Sequence, residues 1–380
     1  MPTRQLFLPA FVFISTFALT LGACTQTAPP PEESQPVEDT PEAPSPEEPE
    51  TTGVPIIFDT DLGYDCDDAG ALGVLHALAD LGETTPLATI TVVGTPHSAG
   101  ALDVINTYYN HPDLPVGAYP GERWSDAKPY WLEPDTGFLE PLVAEYRSDI
   151  ETNDQAEEAV TLYRKTLAAQ PDASVTIVVV GFLQNLADLL DSGSDAHSPL
   201  SGEALAAKKV KQVVVMGGSY PDDGKWHDFN LRGGPEDDGQ AAQKVVETWP
   251  TPIVFVGNEI TGDVYTGSGL KDTLPENPVA HIYDLYPGTN NRGERQSWDL
   301  AAVLYAVRGT GDLWSLRKDS HIVVNDNGSH RWEEGAVKPA RISLQREVSA
   351  KEVAAVLDEL LMQPPKDTAE PPASRTARAE

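Results

Sequence analysis

The chain has 380 residues, an apolar fraction of 40% and a formal net charge of −33. A chain of this length and composition can bury one large core or two medium ones. The strong negative charge excludes binding to nucleic acid through phosphates, because such binding needs basic patches that release counterions.

The first 23 residues predict an export signal. Arg4 supplies positive charge, the stretch 6-LFLPAFVFISTFALTLGA-23 is apolar, and small residues end it. The final letters, 21-LGAC-24, resemble a bacterial lipobox, which implies cleavage before Cys24 and lipid attachment to its sulfur. We therefore expect an exported lipoprotein, anchored to the membrane of the bacterial cell envelope through Cys24. A plain signal peptide and a single membrane-spanning helix are the alternatives.

Residues 24–53 predict a disordered tether. Positions 25–53 contain eight Pro and eight Asp or Glu but no Lys or Arg, so they cannot bury a core. Residues 54–363 then form the folded domain, and residues 364–380 form a frayed tail.

Cys66 is the only thiol that remains if Cys24 carries lipid, so no internal disulfide is expected. A nucleophilic role for Cys66 is disfavoured, because the surrounding negative charge opposes formation of the thiolate.

A repeated order of strand, turn and helix begins at residue 54. Short apolar runs rich in Val and Ile predict strands at 55–58, 88–94, 174–181, 211–218 and 252–257. Helical patterns cover 67–81, 98–110, 155–169, 182–191, 238–247, 298–308 and 349–361. The alternation predicts an α/β fold of the Rossmann-like kind, with a mostly parallel open sheet and helices on both faces. Residues 120–150 are predicted to form a long loop over one end of the sheet.

Four of the predicted strands end in, or lead to, residues that could form a site. Ligands of open α/β folds bind beyond the carboxyl ends of the strands, so these residues are candidates for a site. The candidates are Asp59 and Asp61 after the first strand, His97 after the second, Val180 and Asn185 after the third, and Asp228 and Asn230 after the fourth.

Five aspartates crowd the turn after the first strand, in 56-IIFDTDLGYDCDDAGALG-73. Carboxylates this close repel one another unless they are protonated, spread into solvent or neutralised by a cation. An all-oxygen set without His or Cys favours Ca²⁺ or Mg²⁺ over zinc. A solvated acidic loop without a ligand is the alternative.

Two known aspartate motifs fit this turn less well. An EF-hand loop counted from Asp59 needs Gly and Glu where the chain has Tyr64 and Gly70, so it is excluded. Phosphatases of the haloacid-dehalogenase type also place Asp-x-Asp after a strand. They leave the pair Asp67 and Asp68 without a role.

The full pattern, Asp-x-Asp-x-Gly-x-Asp-x-Asp-Asp-Ala, resembles nucleoside hydrolases of the inosine-uridine-preferring kind. Four later segments agree in order with that family: 174-SVTIVVVGFLQNLADLL-190, 210-VKQVVVMGGSY-220, 228-DFN-230 and 298-WDLAAVLYAV-307. The resemblance covers residues 54 to 362. It implies Ca²⁺-dependent hydrolysis of the N-glycosidic bond of ribonucleosides, with release of base and ribose.

The resemblance also implies roles for individual residues. The Ca²⁺ ligands would be the side chains of Asp61, Asp68 and Asp299 and the carbonyl of Val180. Asp61 would also be the general base, and Asp67 would bind the ribose 2′-hydroxyl as part of the catalytic group. The remaining assignments are Asp228 and Asn230 to the far side of the sugar, Trp298 to the base, and Asp59 to orientation of the loop. Asp65 receives no role.

The chain departs from the best-known family pattern in ways that leave other functions open. Trp298 stands where many members have the His that is the candidate acid for the leaving base. His97 could replace that acid, or the aromatic residues Trp124, Tyr130, Trp131 and Trp298 could assist the base by stacking. Thr95 replaces a common Asn, and the segment between Gly218 and Asp228 is short. The alternatives are a lipoprotein that binds a sugar or glycan without turnover, and an Asp-x-Asp phosphatase. A homo-oligomer is also compatible with the family.

Overall fold

A nine-stranded β-sheet runs through the described part of the chain. The computed structural model describes residues 53–124, 137–221, 228–234 and 238–366. The strands are β1 (Val54–Thr60), β2 (Thr84–Thr91), β3 (Val116–Ala118), β4 (Glu157–Glu158), β5 (Val175–Val179), β6 (Val210–Met216), β7 (Ile253–Val256), β8 (Tyr265–Thr266), β9 (Arg295–Gln296), β10 (Trp314–Arg317), β11 (Ser320–Val324), β12 (His330–Glu334) and β13 (Arg341–Arg346). The helices are α1 (Asp67–Asp80), α2 (Ser98–Tyr108), α3 (Leu139–Glu145), α4 (Ala159–Ala169), α5 (Gln184–Asp191), α6 (Gly202–Lys209), α7 (Gln240–Thr248), α8 (Asn258–Thr261), α9 (Leu270–Thr273), α10 (Pro278–Leu285), α11 (Trp298–Arg308) and α12 (Ala350–Leu361).

The strand order of the main sheet creates a switch point beside β1. The order is β10-β13-β7-β6-β5-β1-β2-β3-β4, and the strands are parallel except that β10 runs antiparallel to β13. The chain builds outward from β1 through β2, β3 and β4, and then returns to place β5 on the other side of β1. The carboxyl ends of β1 and β5 therefore flank the crevice in which open α/β sheets bind ligands.

Apolar side chains of the central strands alternate between two cores, one on each face of the sheet. Ile56 and Phe58 of β1 belong to one core, whereas Ile57 belongs to the other. The first core also receives α1, α2, α10, α11 and α12, and the second receives α4, α5, α6 and α7. The predicted α/β fold with helices on both faces is confirmed, and the predicted strands and helices are present with ends that shift by a few residues.

Other elements were not predicted. Helix α3 lies inside the stretch 120–150 that was predicted to be a loop, and residues 125–136 of that stretch lie outside the described ranges. Strand β13 extends the sheet next to β7, and its buried Arg341 donates hydrogen bonds to backbone carbonyls of Val246 and Thr251. Two antiparallel pairs, β8 with β9 and β11 with β12, complete the strands. Across the described ranges, no helix has the length and apolar character needed to span a membrane.

Candidate active site

The end of β1 holds one aspartate inside the protein. Asp59 is fully buried; the Tyr163 hydroxyl donates to its Oδ2 at 2.7 Å, and Nδ2 of Asn185 donates to both oxygens at 3.1 and 3.2 Å. Burial raises the pKa of Asp59 to about 7, although both neighbours act in the opposite direction. These contacts fit the orienting role predicted for Asp59.

The first turn of α1 carries two more carboxylates. Asp67 and Asp68 are its first two residues, where the positive end of the helix dipole favours negative charge. The Thr60 hydroxyl donates to Oδ1 of Asp68 and accepts from the backbone N–H of Leu62 at 3.1 Å. Thr60 thus joins the end of β1 to the beginning of α1.

Asp299 comes from the first turn of α11, which packs against α1. Its backbone N–H donates to Oδ2 of Asp67 at 3.3 Å. Ligand atoms of Asp67, Asp68 and Asp299 lie within 4.8 Å of one another, and all three residues are buried. Within the described ranges, this group has the composition and spacing to hold a metal ion.

The electrostatics of these carboxylates favour a bound cation. Asp61 is only 5% exposed, and burial raises its pKa to about 8, with further upward contributions from the charges of Asp67 and Asp65. Burial also raises the pKa values of Asp67, Asp68 and Asp299 well above the usual range, and the neighbouring carboxylates raise them further. Buried anions of one sign are costly unless they are paired or coordinate a metal. An all-oxygen donor set of this kind fits a hard divalent cation.

The carboxyl end of β5 comes close to this cluster. The carbonyl of Val180 accepts a hydrogen bond from Nδ2 of Asn230 at 2.7 Å, and the same nitrogen donates to the Met216 carbonyl at 3.1 Å. A Cβ on Gly181 would lie 2.6 Å from the backbone nitrogen of Asp61. Glycine is therefore required where the ends of β1 and β5 meet.

Asp228 shapes the turn that carries Asn230. Its Oδ1 accepts the backbone N–H of Asn230 at 3.1 Å and that of Leu231 at 2.9 Å. Asp228 is buried, and burial raises its pKa. The turn places Phe229 and Asn230 beside the aspartates.

One pocket of about 180 Å³ unites these elements. The predicted site residues all line it: Asp61, Asp67, Asp68, Val180, Asp228, Asn230, Trp298 and Asp299. The group of closely spaced carboxylates includes Asp67, although the sequence predicted that Asp67 contacts the sugar. Asp61, which was predicted to be a metal ligand, also lines this pocket. The fold thus brings the predicted residues together, while their individual roles stay predictions.

Three other candidates from the sequence, His97, Trp124 and Cys66, do not line this pocket. His97 precedes α2, and its Nδ1 lies 3.0 Å from the carbonyl oxygen of Glu151. Trp124 is 3% exposed and donates from Nε1 to the Gly233 carbonyl at 3.0 Å, so it anchors a loop. Cys66 is buried, and burial followed by neighbouring negative charge raises the pKa of its thiol. Tyr130 and Trp131 lie outside the described residues.

Several pocket residues were missed by the sequence analysis. They are Tyr64, Asp65, Met216, Phe229, Asn258 and Arg295. Asn258 directly follows β7 and its Gly257, so the rule about strand ends could have found it. Phe229 lies between two predicted residues. Arg295 had no such signal; its guanidinium forms an ion pair with Asp65, far away in the sequence.

Comparison with known families identifies a match over most of the chain. The family model described as inosine-uridine preferring nucleoside hydrolase matches residues 56–357. A pyrimidine-specific ribonucleoside hydrolase, RihA, from Shewanella sp. (strain ANA-3) is 31% identical over 222 residues. That alignment covers 54% of this chain and 59% of the relative, so the chain spans little more than half the length of that protein.

Solved structures share the fold. A purine-preferring ribonucleoside hydrolase from Gardnerella vaginalis has a TM-score of 0.56 at 16% identity, and the match covers 81% of this chain and 96% of that one. An inosine-uridine preferring nucleoside hydrolase from Bacillus anthracis has a TM-score of 0.54 at 16% identity, with coverages of 81% and 99%. At such low identity these likenesses establish the architecture alone.

Proposed function

Because the chain belongs to the inosine-uridine preferring nucleoside hydrolase family, we propose that it hydrolyses the N-glycosidic bond of ribonucleosides and releases base and ribose. The observation that carries this proposal is the single pocket that gathers the buried carboxylates Asp61, Asp67, Asp68 and Asp299. Cleavage of an N-glycosidic bond develops positive charge on the sugar, as in other glycoside hydrolysis. Fixed carboxylates stabilise such a charge, and they do so more strongly in a buried site than in water.

We propose Ca²⁺ as the cofactor, held by Asp68, Asp299, the carbonyl of Val180 and one or both of Asp61 and Asp67. The buried all-oxygen donor set and the mutual repulsion of the carboxylates support this assignment. When bound, the ion would act as a Lewis acid that lowers the pKa of a bound water and would also bind sugar hydroxyls.

Each residue around the cation has its own role in the proposed reaction. Asp61 accepts a proton from the attacking water, and Asp67 accepts a hydrogen bond from the ribose 2′-hydroxyl. Asn230 contacts the sugar at the side of β6, in a turn whose shape Asp228 maintains. Trp298 provides an aromatic surface for the base, because it lines the pocket next to Asp299.

We also propose that the protein is exported and anchored to the cell envelope by lipid on Cys24, on the basis of 21-LGAC-24 and the acidic, Pro-rich stretch that follows. Incorporation of radiolabelled palmitate into the wild-type protein, and its loss in Cys24→Ser, would support this location. An unlabelled wild-type protein would contradict it. The family resemblance is also compatible with a homo-oligomer, and light scattering of the purified protein would test this assembly.

The test of the proposed function measures release of reducing sugar from a panel of purine and pyrimidine nucleosides. The full chain is assayed with Ca²⁺, with a chelator, and after Ca²⁺ is restored. We expect release that the chelator abolishes and Ca²⁺ restores, and the panel ranks the bases in the same experiment. A phosphatase would instead release phosphate from phosphomonoesters in the presence of Mg²⁺, and would form a phospho-aspartate at Asp59.

Asp61→Asn distinguishes an enzyme from a binding protein on the same fold. If Asp61 is the base, this variant loses turnover while it retains measurable affinity for a nucleoside. If the wild-type protein binds Ca²⁺ and nucleosides but releases no sugar from any of them, the hydrolase proposal is wrong and the binding function replaces it.

A further inference from the structure

We propose that Arg295 donates a hydrogen bond to the departing base and so stabilises the negative charge that develops on it. This inference rests on the proposed hydrolysis of nucleosides. Arg295 is the one cationic side chain that lines the pocket within the described ranges, and it faces a wall otherwise rich in carboxylates. The described lining residues include no His, so the usual side chain for protonation of a leaving group is not among them.

Arg295 is held firmly in place. Its Nε donates to Oδ1 of Asp65 at 2.8 Å, and its Nη2 donates to Oδ2 of the same carboxylate. The two side chains are only 13% and 14% exposed, so this two-pronged pair is largely shielded from solvent. Strand β9, which contains Arg295, pairs with β8 and fixes the backbone at the same position.

Two aromatic rings lie close to the guanidinium. The centre of the Trp298 ring lies 5.0 Å from Cζ of Arg295, and that of Tyr286 lies 5.5 Å away. Arg295 and Trp298 both line the pocket. A planar base that enters beside Trp298 would therefore lie close to the guanidinium and its N–H groups.

Arg295 retains a donor for such a ligand. Nη1 donates to Oε1 of Gln296 at 2.9 Å and lies 3.4 Å from the Gly288 carbonyl, whereas Nε and one hydrogen of Nη2 serve Asp65. The second hydrogen on Nη2 has no partner among the described residues. Arginine remains protonated under all physiological conditions, so it acts here as a hydrogen-bond donor and does not transfer its proton.

The proposed step balances without a second acid. The C1′–N bond breaks and its electron pair remains on the base nitrogen, while the oxygen of the attacking water bonds to C1′. Asp61 takes the proton from that water, and the base leaves as an anion that is hydrogen-bonded to Arg295. Solvent water then protonates the released base, and the proton on Asp61 returns to solvent. Asp65 is a positioning residue, because it acts only through Arg295.

The test compares leaving groups in the full chain with Ca²⁺. Wild type, Arg295→Gln, Arg295→Lys and Asp65→Asn are assayed on a nucleoside and on p-nitrophenyl β-D-ribofuranoside, whose nitrophenolate departs without assistance. Arg292→Gln is the matched control, since Arg292 lies in the same loop but its side chain is 68% exposed and pairs with Glu294. Loss of one charge-stabilising donor typically costs about 10²-fold to 10³-fold in kcat.

We expect Arg295→Gln to lose kcat of that order on the nucleoside and to retain near wild-type kcat on the nitrophenyl riboside. Arg295→Lys should recover part of the lost kcat, because it restores the charge without the two-pronged geometry. Asp65→Asn should also lose more kcat on the nucleoside than on the nitrophenyl riboside, but by a smaller factor than Arg295→Gln. Equal loss on both substrates would assign Arg295 to structure and overturn the proposal, as would unchanged kcat on both. A wild-type protein that cleaves neither substrate would refute the proposed hydrolysis itself, and with it this step.

Discussion

The backbone N–H of Asp299 donates a hydrogen bond to Oδ2 of Asp67 and so joins the first turns of α11 and α1. Each helix therefore presents its positive end to the same group of carboxylates. Because a helix N-terminus favours negative charge in its first turn, two dipoles offset part of the repulsion within the cluster. The dipoles act only weakly, and a divalent cation remains the strongest means of stabilising the charged site.

Affinity for the cation should depend most strongly on the three closely spaced aspartates. Asp67→Asn and Asp299→Asn are each expected to weaken Ca²⁺ binding by at least about 10-fold, because even the loss of a group that only supports a metal ligand costs about that much. Titration calorimetry of the full chain measures this affinity. Asp191→Asn is the control, since its side chain is 72% exposed.

The same titration separates Asp61 from Asp67. If Asp67→Asn keeps full affinity for Ca²⁺ while Asp61→Asn loses it, the loss expected for Asp67→Asn is contradicted, the ligand set implied by the family resemblance is right, and Asp67 serves the sugar alone. If both variants lose affinity, both carboxylates belong to the cation site.

Stability without calcium should fall as the pH rises. Asp59 has a pKa of about 7 in the folded protein against an ordinary value of 3.8, so above 3.8 the folded state binds more protons than the unfolded state. Its contribution is fully present below the unfolded pKa and is lost as pH rises toward 7, by up to about 1.4 kcal/mol per pH unit. Thermal unfolding of the chelated protein across this range measures the slope, and Asp59→Asn should flatten it.

Bound calcium should oppose the loss of stability at high pH. A cation binds the deprotonated carboxylates, so added Ca²⁺ should raise Tm more at about pH 8 than at about pH 5. An equal shift at both pH values would show that the raised pKa values of Asp61 and its neighbours have no part in cation binding.

Trp298 should contribute to binding of the base. Trp298→Ala removes the aromatic surface, and we expect KM for nucleosides to rise about 10-fold or more, because stacking of one base on an aromatic side chain is worth about 1–3 kcal/mol. Trp298→Phe keeps an aromatic ring and should lose less. Equal KM values in the wild type and both variants would show that the base does not rest on this ring.

Asn258 should contact the substrate from the end of β7. It lines the pocket and is half-buried, with its backbone N–H bound to the Gly218 carbonyl at 2.8 Å. We expect Asn258→Ala to lower kcat/KM for nucleosides by about 5-fold to 10-fold, the loss of one ordinary hydrogen bond. Asn327→Ala, at the exposed tip between β11 and β12, is the control. An unchanged kcat/KM would remove Asn258 from the binding site.

The parts of this fold that sequence reasoning identified are those with strong local patterns. Strands β1, β5 and β6 are continuous apolar runs because both of their faces are buried, and they are easily recognised. Strand β13 reads RISLQR, and its charged ends conceal a sheet strand whose Arg341 is satisfied by backbone carbonyls.

The residues of the site also differ in how well local sequence patterns identify them. Asp61 directly follows the apolar strand β1, so its place at the edge of the sheet could be predicted from the strand. Asp299 lies in the first turn of α11, and only the family resemblance pointed to it. Arg295 occupies a two-residue strand within a polar loop, and only the three-dimensional fold brings it to Asp65. Local sequence patterns hold no information about such a pair.

Asp67 and Asp299 are 232 positions apart in the chain. Joining such distant segments costs loop-closure entropy that only a nearly complete sheet repays. A chain that has formed β1 and α1 alone therefore carries Asp67 and Asp68 without their partner on α11. Affinity for the cation should then appear late in refolding, so a calcium-sensitive signal would report the completion of the native topology rather than its first steps.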